Sequence, residues 1–261
     1  MPELPEVETY ARYFTRHALH QRIARVRVLD ERILGTVRAA TFSQRLKGRE
    51  FTSVRRHGKN LFANAGETWL HLHFGMTGDL AYYRETLQQP RFARVIFDFD
   101  GGAHLAYEDM RLFGVVDLTQ SPDDYIREHA LGPDPLDASF TLRTFRGIAN
   151  ARRGAVKSVL MSQEIIAGIG NLYADEMLFQ ASIHPRRPVN ELSDSEVRTV
   201  FTALRRVLRE AIARRDRDAE LPPRYLFNHR EEGARCPRCG GTIARSVVFG
   251  RTTYFCATHQ K

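Results

Sequence analysis

Apolar positions near the start of the chain recur every three or four residues. Val7, Tyr10, Ala11, Phe14 and Ala18 would form one buried stripe, so the pattern predicts a helix there. From about residue 22 to 118 the period changes to short alternating runs: Ile23 to Val28, Trp69 to Phe74, Val95 to Phe99 and Leu105 to Tyr107. Turns such as Asp100-Gly101-Gly102 separate them. This pattern predicts an antiparallel sandwich or barrel with a helix attached. The stretch QSPDDYIREHALGPDPLDASF is rich in Pro, Asp and Ser and predicts a linker. Beyond it the period is helical. Ser193 and Glu196 offer a capping box. Val197, Val200, Phe201, Leu204, Val207, Leu208 and Ala211 follow as an apolar stripe. Arg205, Arg206 and Arg209 decorate the other side, first as a solvated face and only second as a contact for DNA. No internal repeat is visible.

The expected fold class is α+β and multidomain. A β-sandwich domain with its N-terminal helix spans 1–118, a linker 119–138, a helical domain 139–230, and a metal-binding β-hairpin 231–261.

Composition narrows the function classes. Hydrophobic residues make up 43% of the 261 positions and aromatic residues 10%, enough for real cores, which excludes global disorder. No apolar run approaches the ~20 residues of a membrane span, and the N-terminus lacks a signal-peptide pattern, so a cytoplasmic protein without membrane contact is expected. Lys and Arg (39) exceed Asp and Glu (31), a formal charge of +8 that suits a polyanionic partner.

All three cysteines lie near the C-terminus, in CPRCGGTIARSVVFGRTTYFCATHQK. An odd number without a signal peptide argues against a disulfide framework. Cys236, Cys239, Cys256 and His259 have the spacing C-x2-C-x16-C-x2-H, two close ligand pairs separated by a hairpin-length insert. That spacing predicts one structural zinc ion bound by Cys3His, because so short a segment has too little core to fold alone.

The chain opens MPELPEVETY. Met before a small residue is normally removed, so Pro2 is expected to carry a free secondary amine. An α-amino group has a pKa near ~8 and is partly neutral and nucleophilic at pH 7. Taken alone, a terminal proline is only a stiff chain end.

Four stretches give it context: PELPEVE, HGKN at 57–60, HFGMTG with DMRLFG, and QEIIAGIGNLYADEMLFQASIHP at 163–185. Together with the cysteine-rich tail, in this order and over nearly the whole length, they resemble formamidopyrimidine-DNA glycosylases of the formamidopyrimidine-DNA glycosylase/endonuclease VIII family. The resemblance implies an N-terminal β-sandwich, a helical domain with a helix–two-turns–helix motif, and a zinc finger. It also implies a bacterial, nucleoid-associated enzyme that acts on damaged double-stranded DNA without a small-molecule cofactor; chain length and symmetry-free motifs suggest a monomer.

Residue roles follow from the same resemblance. Pro2 matches the nucleophile that attacks C1′, expels the base and forms a Schiff base, with β,δ-elimination to follow. Glu3 matches the acid/base that moves protons on the sugar ring oxygen, and Glu6 belongs to the same signature. Lys59 matches a lysine that contacts phosphate and base. Met76, Arg111 and Phe113 match the residues that fill the gap left by a flipped nucleotide, restoring part of the lost stacking. Asn171, Lys157 and, on a weaker alignment, Arg94 match phosphate contacts; the glycines of Gly168-Ile169-Gly170-Asn171 suit a phosphate at a helix start. Arg251 matches the zinc-finger arginine tied to phosphate binding and δ-elimination.

Two departures stand out. The fourth zinc ligand is His259 where the family normally has Cys. Between the long helix and the hairpin, the segment RRDRDAELPPRYLFNHREEGARC is shortened and lacks a glycine before Gly233, where the family has a loop capping a flipped 8-oxoguanine. Phe227-Asn228-His229-Arg230 stands where a Tyr-Gly-Arg segment is usual. The expected activity is therefore a bifunctional glycosylase/AP lyase acting on formamidopyrimidines, with 8-oxoguanine as a further candidate. The alternatives are the same chemistry on oxidised pyrimidines, as in the endonuclease VIII branch, and a non-catalytic zinc-finger protein that binds damaged DNA.

Overall fold

The computed structural model describes residues 2–217 and 219–261; Met1, whose removal is expected, lies outside them. The chain divides into two compact units, Pro2 with 6–130 and 3–5 with 131–261.

The first unit contains most of α1 (Leu4–Ala18), followed by β1 (Ile23–Val28), α2 (Ala39–Leu46), β2 (Ser53–His57), β3 (Asn60–Asn64), β4 (Trp69–His73), β5 (Gly78–Tyr83), β6 (Ala93–Phe99), β7 (His104–Asp109), β8 (Val115–Thr119) and α3 (Pro122–Glu128). The strands form two four-stranded sheets, β1-β6-β7-β5 and β2-β3-β4-β8, antiparallel throughout. Val7, Phe14, Phe42, Phe51, Leu72, Phe97 and Tyr107 share the core, so the apolar stripe of α1 and the inward faces of both sheets are buried together. Burying each such side chain contributes roughly 1.5–3 kcal/mol.

Two local differences from the sequence reading have physical reasons. Within the strand-rich region, Phe42 and Leu46, four residues apart, bury one side of the short helix α2. The expected linker 119–138 begins on the last residue of β8 and contains α3. There Ser121 accepts from the Asp124 amide (3.0 Å), Pro122 takes the first helical turn, and Asp123 and Asp124 face the positive helix end. The same composition that marks a linker thus also marks a helix start.

The second unit is helical: α4 (Leu142–Ala151), α5 (Val156–Met161), α6 (Asn171–Ala181) and α7 (Asp194–Arg215), closed by the hairpin β9 (Ile243–Val248) and β10 (Arg251–Cys256). The capping box forms at Ser193 and Glu196, and the α7 stripe is buried apart from half-buried Phe201. α6 is buried on nearly every side, including Asp175 and Glu176. Arg205 donates to the Phe140 carbonyl (2.8 Å) and Arg206 to Gln180 (3.1 Å), so the two arginines are tied to neighbouring elements.

Candidate active site and metal centre

Glu3 is buried, at 3% exposure, and packs with the helical unit. Its carboxylate accepts from the backbone N–H groups of Gly170 (2.7 Å), Leu172 (2.9 Å) and Tyr173 (3.3 Å) at the start of α6. These are the unpaired donors of a helix N-terminus, and a carboxylate satisfies them well. The glycine at 170 has a specific reason: a Cβ there would lie 2.4 Å from the Glu3 carboxyl carbon. The amides expected to suit a phosphate therefore hold Glu3, and Gly170 makes room for it. Neighbouring Pro2 is half-buried, and Glu6 lies half-buried in the first turn of α1.

Lys59 sits in the two-residue turn between β2 and β3, where Gly58 takes φ +57°. Its positive charge acts on His73, whose pKa is lowered chiefly by burial and further by Lys59. His73 therefore stays neutral beside the lysine at neutral pH.

Met76, Arg111 and Phe113 lie on two loops of the sandwich unit, and all three are exposed, Met76 at 41% and Phe113 at 54%. The Arg111 guanidinium covers the Phe113 ring at 4.8 Å. Asp109, which sequence reasoning missed although it opens DMRLFG, organises both loops. Fully buried, it accepts from the Thr77 hydroxyl of one loop and from the Arg111 (3.0 Å) and Gly114 (2.7 Å) amides of the other. The loops touch at Gly75, φ +51°, where a Cβ would meet the Phe113 backbone at 2.3 Å.

Two residues matched to phosphate contacts are engaged within the protein. The Arg94 side chain is 19% exposed; it donates to the Asp109 carbonyl (2.8 Å) and pairs with Asp30 (3.5 Å), bracing the loops from behind. The Lys157 side chain is fully buried. Its ammonium lies 2.6 Å from Asp175, 2.7 Å from the Asn171 side-chain oxygen and 2.6 Å from the Thr253 hydroxyl. Burial lowers its pKa, and the charge of Asp175 and its contact with the ammonium oppose that shift. Both residues sit inside polar networks, because a buried cation must be paired to be tolerated.

These networks extend into the hairpin. Asn171 donates to the Thr252 carbonyl (3.0 Å), and Asp175 accepts from the Tyr254 amide (3.1 Å) and pairs with Arg230 (2.8 Å). Arg230 also lies over the Tyr254 ring at 5.2 Å. The shortened segment is anchored on the same helix: the Phe227 amide donates to Glu176 (2.9 Å). Burial pushes the Glu176 carboxyl up to about 7. Arg251 is exposed at the start of β10, one residue beyond the hairpin turn.

The ligand atoms of Cys236, Cys239, Cys256 and His259 lie within 4.8 Å of one another. Cys236 Sγ is 3.7 Å from His259 Nδ1, and Cys239 Sγ is 3.5 Å from Cys256 Sγ. A tetrahedral ion with bonds of ~2.0–2.3 Å sets ligand atoms about 3.5–3.8 Å apart, and these two separations match it. His259 Nε2 meets the Phe179 carbonyl at 3.3 Å, which leaves Nδ1 as the ligand atom.

A family model described as the formamidopyrimidine-DNA glycosylase N-terminal domain matches residues 1–116, and one described as the formamidopyrimidine-DNA glycosylase H2TH domain matches 131–220. The formamidopyrimidine-DNA glycosylase of Moorella thermoacetica is 38% identical over 260 residues, covering 94% of each chain. That of Pelotomaculum thermopropionicum is 35% identical, covering 100% of this chain and 99% of its own. Among solved structures, the Lactococcus lactis enzyme bound to DNA containing a formamidopyrimidine lesion (FAPY-dG) superposes with TM-score 0.89 at 26% identity, over 99% of this chain and 100% of that one. The same enzyme with abasic-site DNA gives 0.88 at 27%, over 99% of both. The fold and these matches are those of a DNA glycosylase of base excision repair. Within that class, the chain belongs to the formamidopyrimidine-DNA glycosylase family.

No helix of the described residues is long and apolar enough to cross a membrane.

Proposed function

We propose that the protein is a bifunctional DNA glycosylase/AP lyase that removes formamidopyrimidines from double-stranded DNA, acting as a monomer with one structural zinc ion. The observation that carries this reading is the fixed Glu3 carboxylate, held by three α6 amides directly after Pro2 in the chain. A group positioned by backbone donors keeps its geometry through a reaction, and Pro2 is its covalent neighbour.

In this mechanism the neutral Pro2 nitrogen attacks C1′ of the damaged nucleotide. The C1′–N bond to the base breaks, and the base leaves with the electron pair and takes up a proton. Glu3 takes up the proton that the attacking Pro2 nitrogen loses and passes it to the ring oxygen as the sugar opens, leaving an iminium between Pro2 and C1′. The iminium acidifies C2′; loss of that proton expels the 3′-phosphate, and a second elimination expels the 5′-phosphate. Lys59 and Arg251 grip phosphate charge, and Arg251 assists the second elimination. Met76, Arg111 and Phe113 enter the stack where the damaged nucleotide leaves it. Asn171 and Lys157 act through the hairpin, and Arg94 through the wedge loops. The Cys3His donor set and its spacing suit zinc, which would hold the hairpin that carries Arg251.

The test is a panel of duplexes, each with one defined lesion, read for strand cleavage and end chemistry. Abasic sites should be cut to leave phosphate on both flanking ends. The segment around Phe227 is shortened relative to the family's capping loop and lacks its glycine, so formamidopyrimidine should be released faster than 8-oxoguanine opposite cytosine. Faster excision of oxidised pyrimidines would move the assignment to the endonuclease VIII branch. Binding without cleavage of any duplex would contradict the catalytic reading.

A further inference from the structure

The hairpin that carries Arg251 has an unusual tip. β9 ends at Val248 and β10 begins at Arg251, so Phe249 and Gly250 alone form the turn. Both have positive φ, +50° and +67°. Such turns favour Asn-Gly or Gly-Gly, because a bulky side chain is strained in the left-handed region. Nothing in the fold rewards a phenylalanine here through burial, since Phe249 is 70% exposed, and Val247 beside it is 58% exposed. Strain kept at an exposed position points to use of the side chain rather than packing.

The surroundings specify what it would meet. From Ile243 to Cys256 the hairpin carries Arg245 and Arg251 and no acidic residue, and both arginines are exposed. Arg186 adds a third guanidinium, donating to the Val247 carbonyl at 2.8 Å. An exposed aromatic ring amid cations and without anions is the arrangement that binds a nucleic-acid strand, the cations tracking phosphate and the ring stacking on a base.

We propose that Phe249 is a nucleobase-stacking contact at the tip of the metal-bound hairpin, adding sequence-tolerant affinity next to the phosphate held by Arg251. The inference rests on the DNA-glycosylase reading above but concerns a residue outside its chemistry.

The test uses the full-length, metal-loaded protein and a duplex carrying a tetrahydrofuran abasic-site analogue, with Kd measured over a series of salt concentrations. Phe249→Asn suits the turn better, so its Tm should equal or exceed that of the parent. Its affinity should nevertheless fall by about tenfold at every salt concentration, with an unchanged slope of log K against log salt, because no charge is removed. Phe249→Trp should retain the parent affinity. Arg251→Ala, by contrast, should lower the slope by about one. Affinity of Phe249→Asn within twofold of the parent would overturn the stacking role, as would a change in its slope or an effect on self-association alone. If the parent itself fails to bind the duplex, the glycosylase reading fails and takes this inference with it.

Discussion

The two exposed clusters proposed to meet DNA are built on different anchors. In the sandwich unit, the exposed Met76, Arg111 and Phe113 rest on one buried carboxylate, Asp109, satisfied by a hydroxyl and two backbone amides. In the helical unit, exposed Arg251 rests on a Cys3His cluster and on the buried Lys157–Asp175–Arg230 network. Neutral donors around one carboxylate make a local clamp, whose loss affects two loops. The Cys3His group could hold a metal that closes the hairpin segment on itself, and a buried ion network ties the hairpin to α5 and α6, so a loss there spreads through the unit. The wedge should therefore tolerate a change at its anchor better than the hairpin does.

The largest expected effect is removal of the metal. Cys239→Ala should release it, as read by elemental analysis, and disorder the hairpin, weakening DNA binding at fixed salt by at least about tenfold. Retention of metal and affinity would break the comparison at its strongest point. Next comes Lys157→Met, which leaves Asp175 buried with one cation fewer. Denaturant unfolding should show a loss of about 3–5 kcal/mol, and a loss below 1 kcal/mol would mean that the network is not an anchor. Asp109→Ala is expected to be milder. It orphans donors in the wedge loops for about 1–3 kcal/mol and should slow base excision more than cleavage at a preformed abasic site, which needs less help leaving the stack.

The smallest effect is one of sign. His71, in the sandwich, is pushed down to about 3 by burial. The folded state refuses a proton that the unfolded state accepts below its ordinary 6.5, so its contribution is lost as pH falls from about 6.5 towards 3. Glu176, in the helical unit, is pushed up to about 7 from an ordinary 4.5. The folded state holds a proton that the unfolded state releases, so its contribution is lost as pH rises from about 4.5 through 7. Unfolding free energy against pH for His71→Gln and Glu176→Gln, each compared with the parent, should show slope changes of opposite sign, each at most about 1.4 kcal/mol per pH unit. Equal signs would contradict the two burial environments.

Much of this was legible in the chain. Ser193, Glu196 and the α7 stripe carry their signal locally, because capping and periodicity act within a few residues. The spacing of three cysteines and His259 did the same for the metal group, whose ligands come from one hairpin. The roles that escaped detection depend on distant partners. Nothing near PELPE shows that Glu3 accepts from residues 170, 172 and 173. A lone lysine in α5 does not reveal that its partners lie in α6 and β10. Asp109 stood inside a quoted motif, but its work is done by the carboxylate turning inward while its neighbours turn outward. Local composition also misled at Ser121-Pro122-Asp123-Asp124, where the letters of a linker are those of a helix cap.

The central claim is that Pro2, followed in the chain by the amide-held Glu3, is the nucleophile. Borohydride reduction during reaction with abasic-site DNA, followed by digestion and peptide mapping, tests it most directly. The account predicts one covalent adduct on the N-terminal peptide, at the Pro2 nitrogen, and none when an N-terminal tag converts that amine to an amide. An adduct on Lys59, or trapping that survives the blocked terminus, would contradict it.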